Sequence, residues 1–245
     1  MSMQPNINLI TIGSNIPLIR EFIYDMIIIP RQLAHKWAAM TNQTPNLKTG
    51  YPSQHLASLI VGMRGTATGA RGNDIIDGSE VKACSKVDQM DKCNKCGRGV
   101  LRSNSLCPYC GSHEIIRKND SKWLINIRSK DELRMALDET PRFIFIIADY
   151  PCFNEGYFGD IRIRAFEIWP QSERCRNFRT LLQNYYNFIY LKHIEINPDR
   201  TPAPKNLWPD SFQFYMCNPI KVFECVIGNA LFNAPCLEIT YYVVP

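Results

Sequence analysis

A chain of 245 residues has room for one large domain, or for a core with a small appendage. Its 45% of apolar residues are enough for a packed interior and exclude a disordered chain. Twenty-eight Lys and Arg against 23 Asp and Glu leave a net charge of +5, a mild bias towards polyanionic partners that excludes nothing by itself.

No stretch resembles a membrane span. The apolar run Phe22 to Ile29 is short and carries Asp25. The first ten residues hold no basic region followed by an apolar run, so no secretion signal is expected and the protein is expected to be cytoplasmic, without a membrane partner. There are no repeats and no low-complexity tracts.

From Ile16 to Met40, apolar residues recur at helical spacing (Leu18, Ile19, Phe22, Ile23, Met26, Ile27), and Pro30 is expected to kink or split the helix. Pro45 to Pro52 reads as a loop. Ser53 to Met63 reads as a second helix with Ser53 as its N-cap. Arg64 to Asn73 is glycine-rich, small and basic, as suits a loop facing a partner.

Next comes a predicted hairpin turning at Asp77-Gly78. After a cysteine-rich segment, Ser121 to Ile127 reads as a strand. Ser129 to Glu139 reads as a helix opened by a capping box, Ser129 with Glu132. The nearly continuous apolar run Arg142 to Tyr150 suits a central strand buried on both faces. The expected core is α/β, with a right-handed crossover between these last two strands. Asp160 to Trp169 alternates as a half-buried strand, Ser172 to His193 is a long helix, Asn197 to Asp210 is a Pro-rich loop, and Ser211 to Val244 reads as three short strands.

The hairpin carries the chemistry. If its loop is Ile76-Asp77-Gly78 with Gly78 left-handed, Ile75 pairs with Ser79 and Asp74 lies opposite Glu80. Side chains alternate with period two, so Asp74, Glu80 and Lys82 share one face while Ile75 and Val81 enter the core. Hard carboxylate oxygens in such a group suit Mg²⁺, and a lysine beside them can orient a water and stabilise developing charge. The bland alternative is a surface hairpin with a Glu–Lys pair.

The pattern Asp74-x5-Glu80-x-Lys82 resembles the PD-(D/E)xK nuclease superfamily, although Asn73 stands where that signature has proline and Asp77 is a rival for the first acid. The longer phrase "GARGNDIIDGSEVKACSKVDQ", followed by paired CxxC motifs, resembles the MamI-type restriction endonucleases over roughly Gly65 to Cys110. The resemblance implies a restriction-endonuclease-like mixed sheet flanked by helices. It implies a type II enzyme cutting double-stranded DNA at a palindromic site, with Mg²⁺ on Asp74, Glu80 and the Val81 carbonyl, Lys82 on the attacking water, 5′-phosphate products and a homodimer. On this reading, residues 1–64 form an N-terminal helical region and 65–150 the catalytic core, interrupted at 91–115. Residues 151–245 complete the sheet and serve recognition or dimerisation. Two alternatives stay open: a repair or structure-specific nuclease, and a non-catalytic DNA-binding protein.

Ten cysteines are many. Cys93-x2-Cys96 and Cys107-x2-Cys110 have the spacing of a zinc ribbon, each pair presenting two thiolates to one tetrahedral Zn²⁺. Gly97 and Gly111 follow where such a knuckle needs an open backbone. Four thiolates close the site, which makes it structural and leaves His113 superfluous. An iron site or redox pairs are the alternatives. The other six (Cys84, Cys152, Cys175, Cys217, Cys225, Cys236) read as reduced core residues. DNA contacts are expected from Arg64 and Arg71 in the glycine-rich loop, from Lys86, and from Lys92, Lys95, Arg98 and Arg102 on the ribbon, unless the ribbon is only a clip for a long loop. Arg174, Arg176 and Arg179 read as a solvated helix face, and Tyr185, Tyr186, Phe188 and Tyr190 as core.

Overall fold

The computed structural model describes residues 15–41, 43–67, 72–87 and 89–242. The chain opens with α1 (Ile16–Ile23), a wide π-type segment at Tyr24–Ile28, and α2 (Ile29–Thr41). Pro30 therefore neither splits nor ends the helix. It has no N–H to give, and just before it the Ile29 amide reaches back five residues to the Tyr24 carbonyl, so the turn widens around the ring. The second helix, α3 (Gly50–Val61), begins a turn earlier than expected. Ser53 is not its cap but is buried inside it, and the helix ends on Gly62 in the left-handed conformation.

Five strands form the main sheet: β1 (Glu80–Ser85), β6 (Phe143–Asp149), β7 (Ile161–Ile168), β9 (Ile220–Gly228) and β10 (Cys236–Tyr242), side by side in that order. β1 runs parallel to β6, and every other neighbouring pair is antiparallel. The sheet is mixed, with helices on both faces. β6 is buried at all seven residues, as its continuous apolar run predicts. Ile144, Ile146 and Ala148 pack with Ile19, Ile23, Leu56 and Ile60 of α1 and α3. Phe143, Phe145 and Ile147 pack on the other side with Trp123, Phe178, Leu182 and Phe214. Each of the Ile, Leu and Phe side chains among these contributes about 1.5–3 kcal/mol on burial. Trp123 keeps its indole N–H satisfied, donating to the Ile146 carbonyl at 2.8 Å.

Between β1 and β6 the chain makes β2 (Asp91–Cys93), β3 (Gly99–Val100) and β4 (Ile115–Ile116), a small sheet of order β3-β2-β4. Then come β5 (Trp123–Ile125) and a helix, α4 (Lys130–Arg134), extended by a π-type turn to Glu139. Ser129 caps α4 as expected, accepting the Glu132 amide at 3.0 Å, while Glu132 accepts the Arg128 amide at 2.6 Å. The expected crossover is corrected, however. β5 is absent from the main sheet and pairs with β8 (Lys205–Leu207), inside the Pro-rich segment. The parallel neighbours are β1 and β6, and the small sheet, β5 and α4 all lie in the connection between them.

The C-terminal half holds α5 (Arg176–Asn184), a π-type segment to Tyr190, α6 (Leu191–Ile196) and α7 (Phe212–Met216). α7 replaces the first of three expected terminal strands; Ser211 caps it by accepting the Phe214 amide at 3.1 Å. Four of the six scattered cysteines are buried, but Cys152 is half-buried and Cys236, at the start of the edge strand β10, is exposed. Tyr185 is buried, whereas Phe188 points outward at 68% exposure and is not core. No helix among the described residues is long and apolar enough to cross a membrane.

Candidate active site and metal centre

The turn before β1 sets the site. The Asp74 and Ile75 amides both donate to the Ser79 carbonyl at 3.1 Å, and the Gly78 amide closes on the Ile75 carbonyl at 3.0 Å. Gly78 sits at φ +91°, which strains any side-chain-bearing residue, and a Cβ there would also crowd Pro141 Cδ at 3.2 Å. The loop Ile76-Asp77-Gly78 and the Ile75–Ser79 pairing match the expectation. The first arm of the hairpin does not form a ladder strand; it makes only an antiparallel bridge between Ile75 and Gly65.

This turn brings the three residues together. Because β1 bonds β6 on one side, the Val81 amide points off the sheet edge, where Asp74 Oδ2 accepts it at 2.7 Å. Asp74 Oδ1 accepts the Gln54 side-chain amide from α3. One residue on either side of Val81, Glu80 and Lys82 share the opposite face of the strand, and their side chains meet at 2.5 Å (Lys82 Nζ to Glu80 Oε1). Burial pushes both carboxyls up. For Asp74 the Val81 amide and the Lys82 ammonium oppose that shift. For Glu80 Lys82 opposes it, while the charge on Asp74 adds to it, so the two acids feel each other.

Glu80 and Lys82 open into a cleft of about 270 Å³ floored by Phe143 and walled by Asn73, Asn126, Arg128 and Glu132. Asp74 lines a neighbouring cleft together with Gln54, His55 and Arg64. Asp77, the rival acid, is spent elsewhere. Its Oδ1 accepts the Ser79 amide at 2.9 Å and its Oδ2 meets Arg142 at 3.1 Å. Arg142 is fully buried, and also bonds Ser79 Oγ at 2.9 Å and Glu167 at 2.8 Å. Gln54, Arg128 and Arg142 were not picked out from sequence, and Glu132 was read only as part of a capping box. Two carried a signal: Arg142 is a charged residue opening an all-apolar strand, and Gln54 lies on the polar stripe of an otherwise buried helix.

The predicted DNA contacts divide. Arg64 is exposed beside Asp74, and Lys92, Lys95 and Arg98 are exposed on the small sheet, with Arg98 lying 4.6 Å over the Tyr109 ring. Arg71 lies outside the described residues. Lys86 is corrected: it is buried, with its ammonium 3.6 Å from Asp210. Arg102 is corrected too. It is buried with two bonds to Asp91, at 2.6 and 3.2 Å, and also reaches the Lys86 carbonyl at 2.8 Å. It ties the small sheet to the end of β1 instead of facing solvent. Arg174 and Arg179 are not a free solvated face either, being bonded to the carbonyls of Asn218 and Leu137.

The four paired cysteines converge. Their sulfurs all lie within 4.8 Å of one another, Cys93 and Cys110 at 3.6 Å and Cys96 and Cys107 at 3.6 Å. Gly97 and Gly111 take φ +72° and +68°, and their amides return to the Cys93 and Cys107 carbonyls at 2.9 Å, which forms the two knuckles. The Cys96 amide points at the Cys93 sulfur and is the main reason its thiol is held down at about 7. Four soft sulfurs at this separation can hold one metal ion.

Comparison with known proteins gives two matches. The family model of the MamI restriction endonucleases matches residues 36–244. The type II restriction enzyme MamI of Microbacterium ammoniaphilum is 30% identical over 83 residues, which is 34% of this chain and 27% of that enzyme. The aligned part therefore spans about a quarter of that relative's length. No solved structure matches.

Proposed function

The chain belongs to the MamI restriction endonuclease family, and from that membership we propose that it is a type II restriction endonuclease that hydrolyses both strands of DNA at a specific, palindromic site. The observation that carries the reading is the convergence of Asp74, Glu80 and Lys82 about Val81 on an edge strand, with a cleft open beside them. Mixed sheet, edge-strand motif and flanking helices support a PD-(D/E)xK core in residues 65–150, with the ribbon at 91–115 inserted and β7, β9 and β10 of the C-terminal region completing the sheet.

Asp74, Glu80 and the Val81 carbonyl would hold Mg²⁺. The donor set fits, being hard oxygens in a half-buried setting that keeps them close. When bound, the ion activates a water and neutralises charge on the scissile phosphate. Gln54 and the Val81 amide fix the Asp74 carboxylate, so its orientation does not depend on the substrate. Lys82, tethered to Glu80, is placed to orient the attacking water and to stabilise the negative charge that develops on the phosphate. The cleavage would leave 5′-phosphate and 3′-hydroxyl ends. The four cysteines would hold structural Zn²⁺. A palindromic site matches a C2 homodimer with one active site for each strand.

The test is digestion of unmethylated phage DNA with Mg²⁺ and sequencing of the cut ends. A discrete ladder with one common sequence at the ends is expected. Lys82→Ala should slow cutting about 100-fold or more while DNA binding in Ca²⁺ persists. A smear, or binding without cutting in any divalent metal, would refute the reading.

A further inference from the structure

Helix α3 carries two stripes. Leu56, Ala57, Ile60 and Val61 are buried in the core. On the opposite side Tyr51, Gln54, His55 and Ser58 recur at the spacing of one helix face and line a cleft of about 470 Å³. The facing wall is Arg64 to Ala67, and the cleft ends on Asp74, its one acidic lining residue among the described ones.

Gln54, Thr66 and Asp74 are bonded, but the other polar side chains lining this cleft are uncommitted. Among the described residues the Tyr51 hydroxyl, the His55 ring nitrogens, the Ser58 hydroxyl and the Arg64 guanidinium have no hydrogen-bond or ion-pair partner. The ring of His55 lies near that of Phe22, at 6.0 Å between centroids, and Tyr51 is 63% exposed. The wall is also held close. A Cβ on Gly65 would lie 3.3 Å from the Asp74 carbonyl oxygen and 3.8 Å from Ser58 Oγ, so a larger residue would have to push that carbonyl back by a few tenths of an ångström. Gln54 belongs to both sites: it lines the cleft and donates to Asp74 Oδ1.

Among the described residues, one cation, one exposed phenol ring and several neutral donors line it and complement a nucleotide, with a phosphate for the guanidinium and a sugar or base edge for the ring. Position points the same way. Glu80 and Lys82 open into the other cleft, beside Arg128, so Asp74 stands between two depressions. A polymer whose reacting phosphate lies at these three residues must leave the site on both sides.

We propose that the α3 cleft binds the nucleotide adjoining the scissile phosphate, with Arg64 on its phosphate and Tyr51 against its sugar or base edge. The proposal rests on the nuclease reading above and adds the path of the strand through it. The test uses the full chain and two exposed substitutions that leave the core untouched, Tyr51→Ala and Arg64→Ala. Each should raise KM for plasmid cleavage, and Kd for a duplex in Ca²⁺, about tenfold, with kcat close to wild type. A plasmid fragment amplified with 5-iododeoxyuridine in place of thymidine should photocrosslink to the peptide carrying Tyr51 and His55. Values of KM and Kd within about twofold of wild type, with crosslinks confined to other segments, would overturn the proposal. Wild-type protein that binds and crosslinks at α3 without cutting would refute the nuclease reading and leave the cleft assigned.

Discussion

Arg142 and Asp77 form an ion pair at 3.1 Å beneath the turn that carries Asp74, with Glu167 on the far side of the same guanidinium at 2.8 Å. Two aspartates three residues apart thus have different surroundings. Asp77 is anchored to a buried cation, while Asp74 is held only by the neutral Gln54 and Val81 amides and lines an open cleft near Glu80 and Lys82.

Asp74→Ala should therefore abolish cleavage, and Asp77→Ala should not. Removing Asp77 leaves Arg142 with Glu167 and Ser79, so the expected cost is one of stability, about 1–3 kcal/mol. Plasmid digestion and a thermal melt on both variants decide it. A dead Asp77→Ala beside an active Asp74→Ala would reverse the assignment.

Gln54→Ala should act on the metal requirement. The amide of Gln54 holds one Asp74 oxygen, and such outer partners of a ligating carboxylate are worth 10–100-fold in metal affinity or activity, so the half-saturating Mg²⁺ concentration should rise about tenfold. An unchanged Mg²⁺ dependence would mean that Gln54 serves packing alone.

Cleavage should fail on the acid side sooner than ordinary carboxylates would require. Burial raises Asp74 above its usual 3.8 and Glu80 above its usual 4.5, so protons compete with Mg²⁺ at higher pH. More Mg²⁺ should move the acid limb of the rate profile to lower pH. The sign for stability is opposite. Carboxyls with raised folded values favour the folded state most when protonated, below their unfolded values, and that contribution fades as pH rises through the folded ones. Added Mg²⁺ should therefore raise Tm more at pH 8 than at pH 5. An acid limb that ignores Mg²⁺ would count against both carboxylates as ligands.

Purified, reduced protein should contain one zinc per chain by elemental analysis. EDTA should stop cleavage quickly, and excess Mg²⁺ alone should restore it, because four thiolates hold Zn²⁺ far more tightly than two carboxylates hold Mg²⁺. Cys93→Ser should lose folding of the ribbon or DNA affinity. A Cys93→Ser protein that is folded and binds DNA but cannot cut would give the cluster a different role.

What could be read in advance was local. The Ser129 cap, the Asp77-Gly78 turn and the two cysteine knuckles depend on residues within a few positions, and each formed where its spacing placed it. The apolar run of β6 announced burial on both faces because no polar residue interrupts it. Partners far along the chain left no such mark. Lys86 looked like a surface cation until Asp210 was brought beside it, and Arg102 until it met Asp91. Likewise nothing in the Ser121 to Ile127 stretch reveals that its strand would pair with Lys205–Leu207 and leave β1 next to β6.

That last arrangement bears on how the chain reaches its native state. Pairing Ser85 with Ala148, at the end of the β1–β6 ladder, closes a long loop, and non-local closures of this kind are slow because their entropy is lost before their contacts form. The cysteine knuckles within that loop need only neighbours 11 and 17 residues apart. Once they have folded, the connection is shortened by the span from Cys93 to Cys110, about a quarter of it, and since each halving of a free loop returns about 0.6 kcal/mol, the gain is a few tenths of a kcal/mol. Early closure of the ribbon would thus speed the docking of the strand that carries Glu80 and Lys82, making a segment remote from the chemistry a determinant of how fast the site assembles.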